Sequence, residues 1–248
     1  MPPRLLSPHD RQRLNVFVKR VGRGINRHRM IEDGDEILIS VSGGKDSLAL
    51  CLALRERMRW VPMKYKLRGL FIDWREYPAG AENRDRLLQF LESLQIPCRI
   101  AEASIFPRSY DKPFNCYICS RNRKRILFEE AQRRGIAKIA VGHHLDDIIE
   151  TTLMNLFFKG EIATMLPVQS FFDGKIRIIR PMCEVEEREV LRVMKIHPLP
   201  VFDTGCPRKP ENQRLFFKDL IKQVKHVNRH AKENLYNAPW RINRDYLP

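Results

Sequence analysis

No uninterrupted apolar run in the 248-residue chain approaches the roughly 18 residues that a membrane span needs, and the opening Met1-Pro2-Pro3-Arg4 lacks the apolar block of a secretory signal. The expectation is a cytoplasmic protein with no membrane partner. Internal repeats and low-complexity tracts are also missing, which excludes a solenoid or propeller. The six cysteines are unevenly spaced and do not make a disulfide framework. In a reducing compartment they read as metal ligands, reactive thiols or core packing. No second CxxC accompanies Cys116-Tyr117-Ile118-Cys119, so a closed four-cysteine zinc site is not written here. Acidic residues are in short supply as well: 30 Asp and Glu face 45 Lys and Arg, for a net charge of +15.

That excess is concentrated. Arg11, Arg13, Lys19, Arg20, Arg23, Arg27 and Arg29 crowd one N-terminal segment, and Arg121, Arg123, Lys124, Arg125, Arg133 and Arg134 share one predicted helix. A third set runs from Lys218 through Lys222, Lys225 and Arg229 to Arg241 and Arg244. A solvated basic face explains any one of them. Together they point to a polyanion, RNA or DNA, held through phosphate neutralisation, with Arg20, Arg27, Arg121, Arg123, Lys124 and Arg125 as the contacting candidates.

The length suits one large domain, or one with a small appendage, and 43% hydrophobic residues supply a core. Leu14, Phe17, Val18, Val21 and Ile25 recur at three- and four-residue steps and predict an amphipathic helix over 10–30. Strands are then expected at Ile37–Val41, Leu67–Ile72 (closed by Asp73), Cys98–Ala101, Lys138–Val141 and Ile176–Ile179. Helices are expected at Leu48–Met58, Glu82–Leu94, Arg121–Arg134 (stopped by Gly135), Asp146–Phe158, Glu184–Met194 and Asn212–Val227, the last of them. The alternation predicts an α/β doubly wound, mostly parallel sheet, with an N-terminal helical element in front. Boundaries fall at 1–34, 35–205 and 206–248. The connections 103–120 and 159–175 read as mobile and substrate-facing. Ligands of such sheets lie beyond the carboxyl ends of the strands, where the segment after Val41, Asp73 and Gly142-His143-His144 should converge.

The densest signal is Ser42-Gly43-Gly44-Lys45-Asp46-Ser47, between the first strand and its helix. Two glycines let backbone approach an anion, the N–H groups of the helix start point at it, and Lys45 adds a mobile charge. The spacing is neither the Walker loop nor the GxGxxG of dinucleotide folds. It resembles the SGGxDS signature of the pyrophosphate-loop ATP pyrophosphatases, which implies ATP cleaved between its α and β phosphates to adenylate a substrate.

Cys116 and Cys119 open the basic helix and Cys206 follows in Thr204-Gly205-Cys206-Pro207. Three thiolates leave one coordination position open, which suits chemistry, although incidental thiols give the same letters. Cys51 and Cys98 fit core patterns, and Cys183 is ambiguous. In Gly142-His143-His144-Leu145-Asp146-Asp147 the acidic pair sits at a helix start, where Asp146 reads as a cap and the carboxylates as Mg²⁺ holders beside a triphosphate. The histidines read as hydrogen-bonding and substrate-activating groups.

Taken in order, Met30-Ile31-Glu32-Asp33-Gly34-Asp35, SGGKDS, Cys116-x-x-Cys119-Ser120-Arg121, GHHxDD with Thr151, Met154-Asn155 and Phe157, Ile179-Arg180-Pro181, and Cys206 ahead of Glu211-Asn212-Gln213-Arg214 resemble the tRNA 2-thiocytidine synthetase family over residues 10–225. The resemblance implies the pyrophosphate-loop ATPase fold. ATP and Mg²⁺ would be held at Ser42, Gly43, Gly44, Lys45, Asp46 and Ser47, with Asp73 and Gly142 closing the nucleotide site. It implies a [4Fe–4S] cluster on Cys116, Cys119 and Cys206, which with Lys45 and Asp146 make the catalytic set. It further implies tRNA as substrate, the C2 oxygen of a pyrimidine (cytidine 32) adenylated and replaced by sulfur. A sulfur donor such as a cysteine desulfurase or sulfide, and a homodimer, follow from the same likeness. Many relatives carry two cysteines in the last motif, where this chain has Cys206 alone. Thiolation of a uridine is an alternative, but such relatives carry extra zinc-binding CxxC pairs. Lysidine synthetase needs no CxxC, and an iron–sulfur RNA-binding regulator needs no SGGKDS.

Overall fold

The computed structural model describes residues 6–106, 110, 114–203, 205, 206, 213–243 and 245. In chain order the elements are α1 (Pro8–Arg27), β1 (Glu36–Val41), α2 (Lys45–Arg57), β2 (Lys66–Trp74), α3 (Ala81–Ser93), β3 (Cys98–Ala103), α4 (Cys116–Arg134), β4 (Lys138–Ala140), α5 (Leu145–Lys159), β5 (Val168–Phe171), β6 (Ile176–Ile179), α6 (Glu187–Ile196), α7 (Gln213–Val227) and α8 (Ala231–Asn237), then a 3₁₀ turn at Ala238–Trp240.

Six strands form one sheet in the order β3-β2-β1-β4-β6-β5, parallel throughout except for β5, which runs antiparallel to β6. Along β1 the side chains divide between two cores. Ile37, Ile39 and Val41 join the larger one with α1, α2, α3, α5 and α6, while Leu38 joins Leu127 and Ala131 of α4 on the other face. Burial on both sides explains why β1 is apolar at nearly every position. The connections after β1 and β2 lay α2 and α3 on one face, and α4 crosses the opposite face to reach β4 on the far side of β1. The strand order therefore reverses between β1 and β4, and the crevice beyond their carboxyl ends is the topological switch point.

The ends of the chain belong to the same body. Leu14, Phe17, Val18, Val21 and Ile25 of α1 are all buried in the larger core, as are Phe217 and Ile221 of α7 and Tyr236 of α8. Ion pairs Arg20–Glu189 (2.6 Å), Arg23–Glu184 (2.6 Å) and Arg27–Glu184 (3.1 Å) fasten α1 beside α6. Glu32 and Asp35, in the connection from α1 to β1, both reach the buried Lys138 ammonium at the foot of β4, at 2.8 and 2.6 Å.

Four expectations change. β5 lies inside the 159–175 connection, where it pairs Val168–Phe171 with Ile179–Ile176 as an edge strand. β2 continues through Asp73 to Trp74. The α6 helix starts at Glu187, not Glu184, because Glu186 and Glu189 form a reciprocal capping box while Glu184 faces α1. The helix ending at Val227 is followed by α8, whose seven residues are too few to show a periodic pattern. Asn212, where that penultimate helix was expected to start, and the stretch Pro207–Glu211 lie outside the described residues, as does Arg244. No described helix is long and apolar enough to cross a membrane.

Candidate active site

The loop between β1 and α2 is held together by its own serine hydroxyls, Ser42 and Ser47. Ser42 N–H and Ser42 Oγ both donate to Ser47 Oγ at 3.1 Å, Ser47 Oγ donates to Gly44 O at 3.0 Å, and Gly44 N–H donates to Ser42 Oγ at 3.3 Å. Gly43 adopts φ +76°, in the left-handed region that favours glycine. Gly44 is the N-cap of α2 and no side chain caps this end, so the dipole and the first N–H groups face the crevice. Lys45 Nζ sits 2.9 Å from Asp46 Oδ2 and 3.4 Å from Glu187 Oε1. Burial pulls its pKa down, but these two carboxylates outweigh it and hold the ammonium above its ordinary value. The other oxygen, Asp46 Oδ1, is buried without a hydrogen-bond partner. Such an atom costs about 1–3 kcal/mol unless a ligand meets it.

The loop after β4 closes on this one. A Cβ on Gly142 would stand 2.9 Å from Ser47 N and 3.0 Å from Asp46 C, so only glycine lets the two backbones approach. His144 caps α5: its Nδ1 accepts from Asp147 N–H (3.3 Å) while Asp147 Oδ2 accepts from His144 N–H (2.9 Å). Its Nε2 points at Asp46 Oδ1 from 3.7 Å. The cap is thus His144 with Asp147, and not Asp146. Asp146 is buried between neighbours, with Oδ2 accepting from Glu187 N–H at 2.7 Å and Oδ1 held by the Lys232 ammonium of α8. Asp147 is committed to the cap and to Arg214 at 3.4 Å. Neither carboxylate offers the open oxygen that a Mg²⁺ holder needs, whereas Asp46 does. Asp73 is likewise engaged, accepting from Ala79 N–H (2.9 Å) and facing Arg84 (3.4 Å), so it fastens the turn after β2.

Beside the capping pair lies a second set of buried polar atoms without partners: His143 Nδ1, Glu150 Oε1, Thr151 Oγ1 and Arg180 Nε. Burial and the neighbouring Arg180 lower His143 to about 4, and burial with Asp147 raises Glu150 to about 7. Burial alone brings Arg180 down to about 10.

The cysteines meet at the other side of the loop. Cys116 and Cys119 lie in the first turn of α4, whose N-cap Asn115 accepts from Tyr117 N–H (2.9 Å) and Ile118 N–H (3.3 Å). The positive helix end favours thiolates there. Burial raises the Cys119 pKa, the Arg123 guanidinium works against that, and the Cys206 and Cys116 thiols push it further up. Cys206, distant in sequence, is thus close enough to Cys119 to act on it. Among the described residues, no three His, Cys, Asp or Glu are arranged to hold a single metal ion. Three thiolates are the ligand type that iron–sulfur clusters take, so the donor set fits such a group in its chemistry. Cys51 and Cys98 pack in the core and burial pushes Cys98 up to about 12. Cys183 resolves as a buried packing thiol beneath Gly24, raised to about 11 by burial.

The basic residues divide. Arg20 is paired to Glu189 of α6 and Arg27 to Glu184 ahead of it, and Arg133 and Arg134 converge on the buried Glu130 (2.9 and 2.5 Å) together with Arg99. Arg125 pairs with Glu129 (2.7 Å), and Arg123 turns toward Cys119 and the Trp74 ring at 6.0 Å. Exposed Arg121 and Lys124 make no ion pair among the described residues. They share a helix face with Tyr117, which is 72% exposed. Lys218, read in the sequence as part of a basic set, pairs with Glu187 at 2.7 Å, while Glu187 and Lys232 were not singled out there. Lone charges on helices carry no pattern that could have found them.

The family described as PP-loop domain matches residues 8–219. The tRNA-cytidine(32) 2-sulfurtransferase of Geobacter metallireducens is 34% identical over 235 residues, covering 92% of this chain and 90% of that protein. The enzyme of the same name from Geobacter sulfurreducens is 33% identical over 244 residues, covering 96% and 94%. In fold, the chain is similar to the U34-tRNA thiolase NcsA from Methanococcus maripaludis, solved with its [4Fe-4S] cluster (TM-score 0.73, 19% identity, 95% of this chain and 81% of that one). With its loop, switch point and matched length in agreement, the chain belongs to the PP-loop family, among the tRNA-cytidine(32) 2-sulfurtransferases.

Proposed function

We propose that this chain is an ATP-dependent tRNA sulfurtransferase that converts the C2 carbonyl of cytidine 32 to a thiocarbonyl. What carries the reading is an anion-binding loop at the carboxyl edge of the sheet, together with Cys119 flanked by the Cys116 and Cys206 thiols. The names of relatives at about one-third identity over most of the chain support it.

In this reading the amides of the loop and the α2 N-terminus take the pyrophosphate portion of ATP, and Lys45 shifts from its carboxylates towards the phosphates. Asp46 Oδ1 is the open oxygen for Mg²⁺, which binds through one or two carboxylate oxygens and phosphate. The cytidine C2 oxygen attacks the α-phosphorus, and the bond to the β-phosphate oxygen breaks with pyrophosphate leaving. A sulfide-level sulfur then adds at C2, and AMP departs with the former carbonyl oxygen, so the exchange is redox-neutral. Cys116, Cys119 and Cys206 would hold a [4Fe–4S] cluster, which supplies an iron without a protein ligand as a docking position for that sulfur. Arg121, Lys124 and Tyr117 provide an exposed basic and aromatic face at the same end of α4, suited to backbone phosphate and an unstacked base. The sulfur comes from sulfide or from a cysteine desulfurase.

Mass spectrometry of tRNA nucleosides from a deletion strain tests this. Loss of 2-thiocytidine, restored by the wild-type gene and not by Cys116→Ala, is the expected result. An unchanged nucleoside profile would overturn the reading, and loss of a 2-thiouridine instead would move the substrate to a uridine.

A further inference from the structure

We propose that Phe202 is a positioning residue that ties Cys206 to the nucleotide loop, so that nucleotide bound at Ser42–Ser47 sets the place of the Cys206 thiol. The proposal rests on the reading above and adds a coupling between its two halves.

Gly43 carries both contacts. On the side where a side chain would stand, a Cβ would lie 2.4 Å from Phe202 Cζ and 2.7 Å from each Cε, so the tip of the ring fills that space. The Phe202 N–H also donates to Gly43 O at 3.3 Å. The ring meets Phe71 edge-on, with centroids 5.9 Å apart, and Phe71 is the register partner of Val41 at the end of β1. Phe202 is therefore wedged between the loop and the carboxyl edge of the sheet.

The segment that follows is short. Four peptide steps separate Phe202 from Cys206 and span at most about 14 Å. Asp203 Oδ1 accepts the Gly205 N–H at 3.0 Å and Gly205 takes φ +71°, which curls the connection. At its far end Cys206 is in electrostatic contact with Cys119 and Tyr77. Phe202 at the nucleotide loop and Cys206 at the cysteine group thus lie at the two ends of one short connection. An anion drawn onto the loop amides adjusts the Gly43 peptide, and that peptide bears on Phe202 through a hydrogen bond and a van der Waals face. The effect on Cys206 is that of a lever, not of a direct nucleotide contact.

Thiol reactivity reads this out without turnover. Cluster-free reduced protein is alkylated with N-ethylmaleimide, with and without a non-hydrolysable ATP analogue and Mg²⁺, and rates at each cysteine are taken from peptide mass spectrometry. In the wild type the analogue changes the Cys206 rate about fivefold or more, the usual scale of a site-to-site coupling. In Phe202→Ala that change disappears although the analogue still binds, and Phe202→Leu, which keeps an apolar contact, retains part of it. Buried Cys51 and Cys183 report folding by staying unreactive; should Phe202→Ala expose them, the Phe202→Leu variant decides, and a full wild-type response there overturns the proposal. A wild type that binds the analogue with no change at Cys206, or a folded Phe202→Ala that keeps the change, also overturns it. A wild type that binds no ATP analogue at all would instead bring down the functional reading beneath it.

Discussion

His143 and Glu150 both feel Asp147 and Arg214, are shifted in opposite directions, and together make a signed prediction. His143 ionises near 4 in the folded chain against 6.5 free, because burial and Arg180 disfavour the imidazolium. Its contribution is complete above about 6.5 and is lost as pH falls towards 4. Glu150 ionises near 7 against 4.5, because burial and Asp147 disfavour the carboxylate. Its contribution is complete below about 4.5 and is lost as pH rises towards 7. Between 4.5 and 6.5 the two slopes oppose one another. Relative to wild type, Glu150→Gln should therefore lose stability as the medium is acidified from pH 7, and His143→Gln should gain it. Thermal melts across pH 4.5–7 check this; a divergence of a few degrees is expected, at about 2–4 °C per kcal/mol for a chain of this size. Parallel curves for both variants would mean that neither group titrates in this window. The orphaned Nδ1 of His143 and Oε1 of Glu150 were invisible in the sequence, since GHHLDD names residue types and not the directions in which they point. The loop serines were legible because glycine, hydroxyl and lysine at fixed spacing leave few alternatives to an anion cradle.

At the scale of elements, α8 lies beyond the residues that the PP-loop family matches, yet it reaches the centre of the site. Lys232 binds Asp146 and, at 3.1 Å, Glu186, and its pKa is held above the ordinary value because these two carboxylates outweigh burial. The N-termini of α5 and α6 are thereby stapled together under one ammonium. Lys232→Met keeps the stem and removes the charge, leaving Asp146 paired only with the Glu187 amide. Breaking such a buried pair costs about 3–5 kcal/mol, to be read from urea unfolding. Amide exchange should quicken at the start of α5 and α6 before it does in β1. A melt and exchange pattern equal to wild type would show that α8 only covers the site. Elements were legible where periodicity ran long: α1 was anticipated within a few residues of its ends, and its core face was named residue by residue. β5 and α8 were missed for the same physical reason, since four or seven residues hold too few repeats to distinguish a strand or helix from a loop.

For the whole molecule, the sheet topology was readable from the alternation of strands and helices, and with it the convergence of the β1 and β4 loops at the switch point. What composition could not show was how the charge is spent. Arg20 and Arg27 looked like nucleic-acid contacts and are ion-paired to Glu189 and Glu184, while Arg121 and Lys124 remain exposed on the helix that Cys116 opens. Arg121 and Lys124 thus leave positive charge facing outward at the cysteine end of α4, where a polyanion would bring one of its bases to the site. The central claim joins ATP cleavage at one end of this crevice to sulfur insertion at the other, and stoichiometry tests it most directly. Reconstituted enzyme is given unmodified tRNA, α-labelled ATP and sulfide, and nucleotide products are counted against 2-thiocytidine formed. The account predicts one AMP and one pyrophosphate for each thiolated cytidine, with both products lost in Lys45→Ala. Formation of ADP, or thiolation that proceeds without ATP, would contradict it.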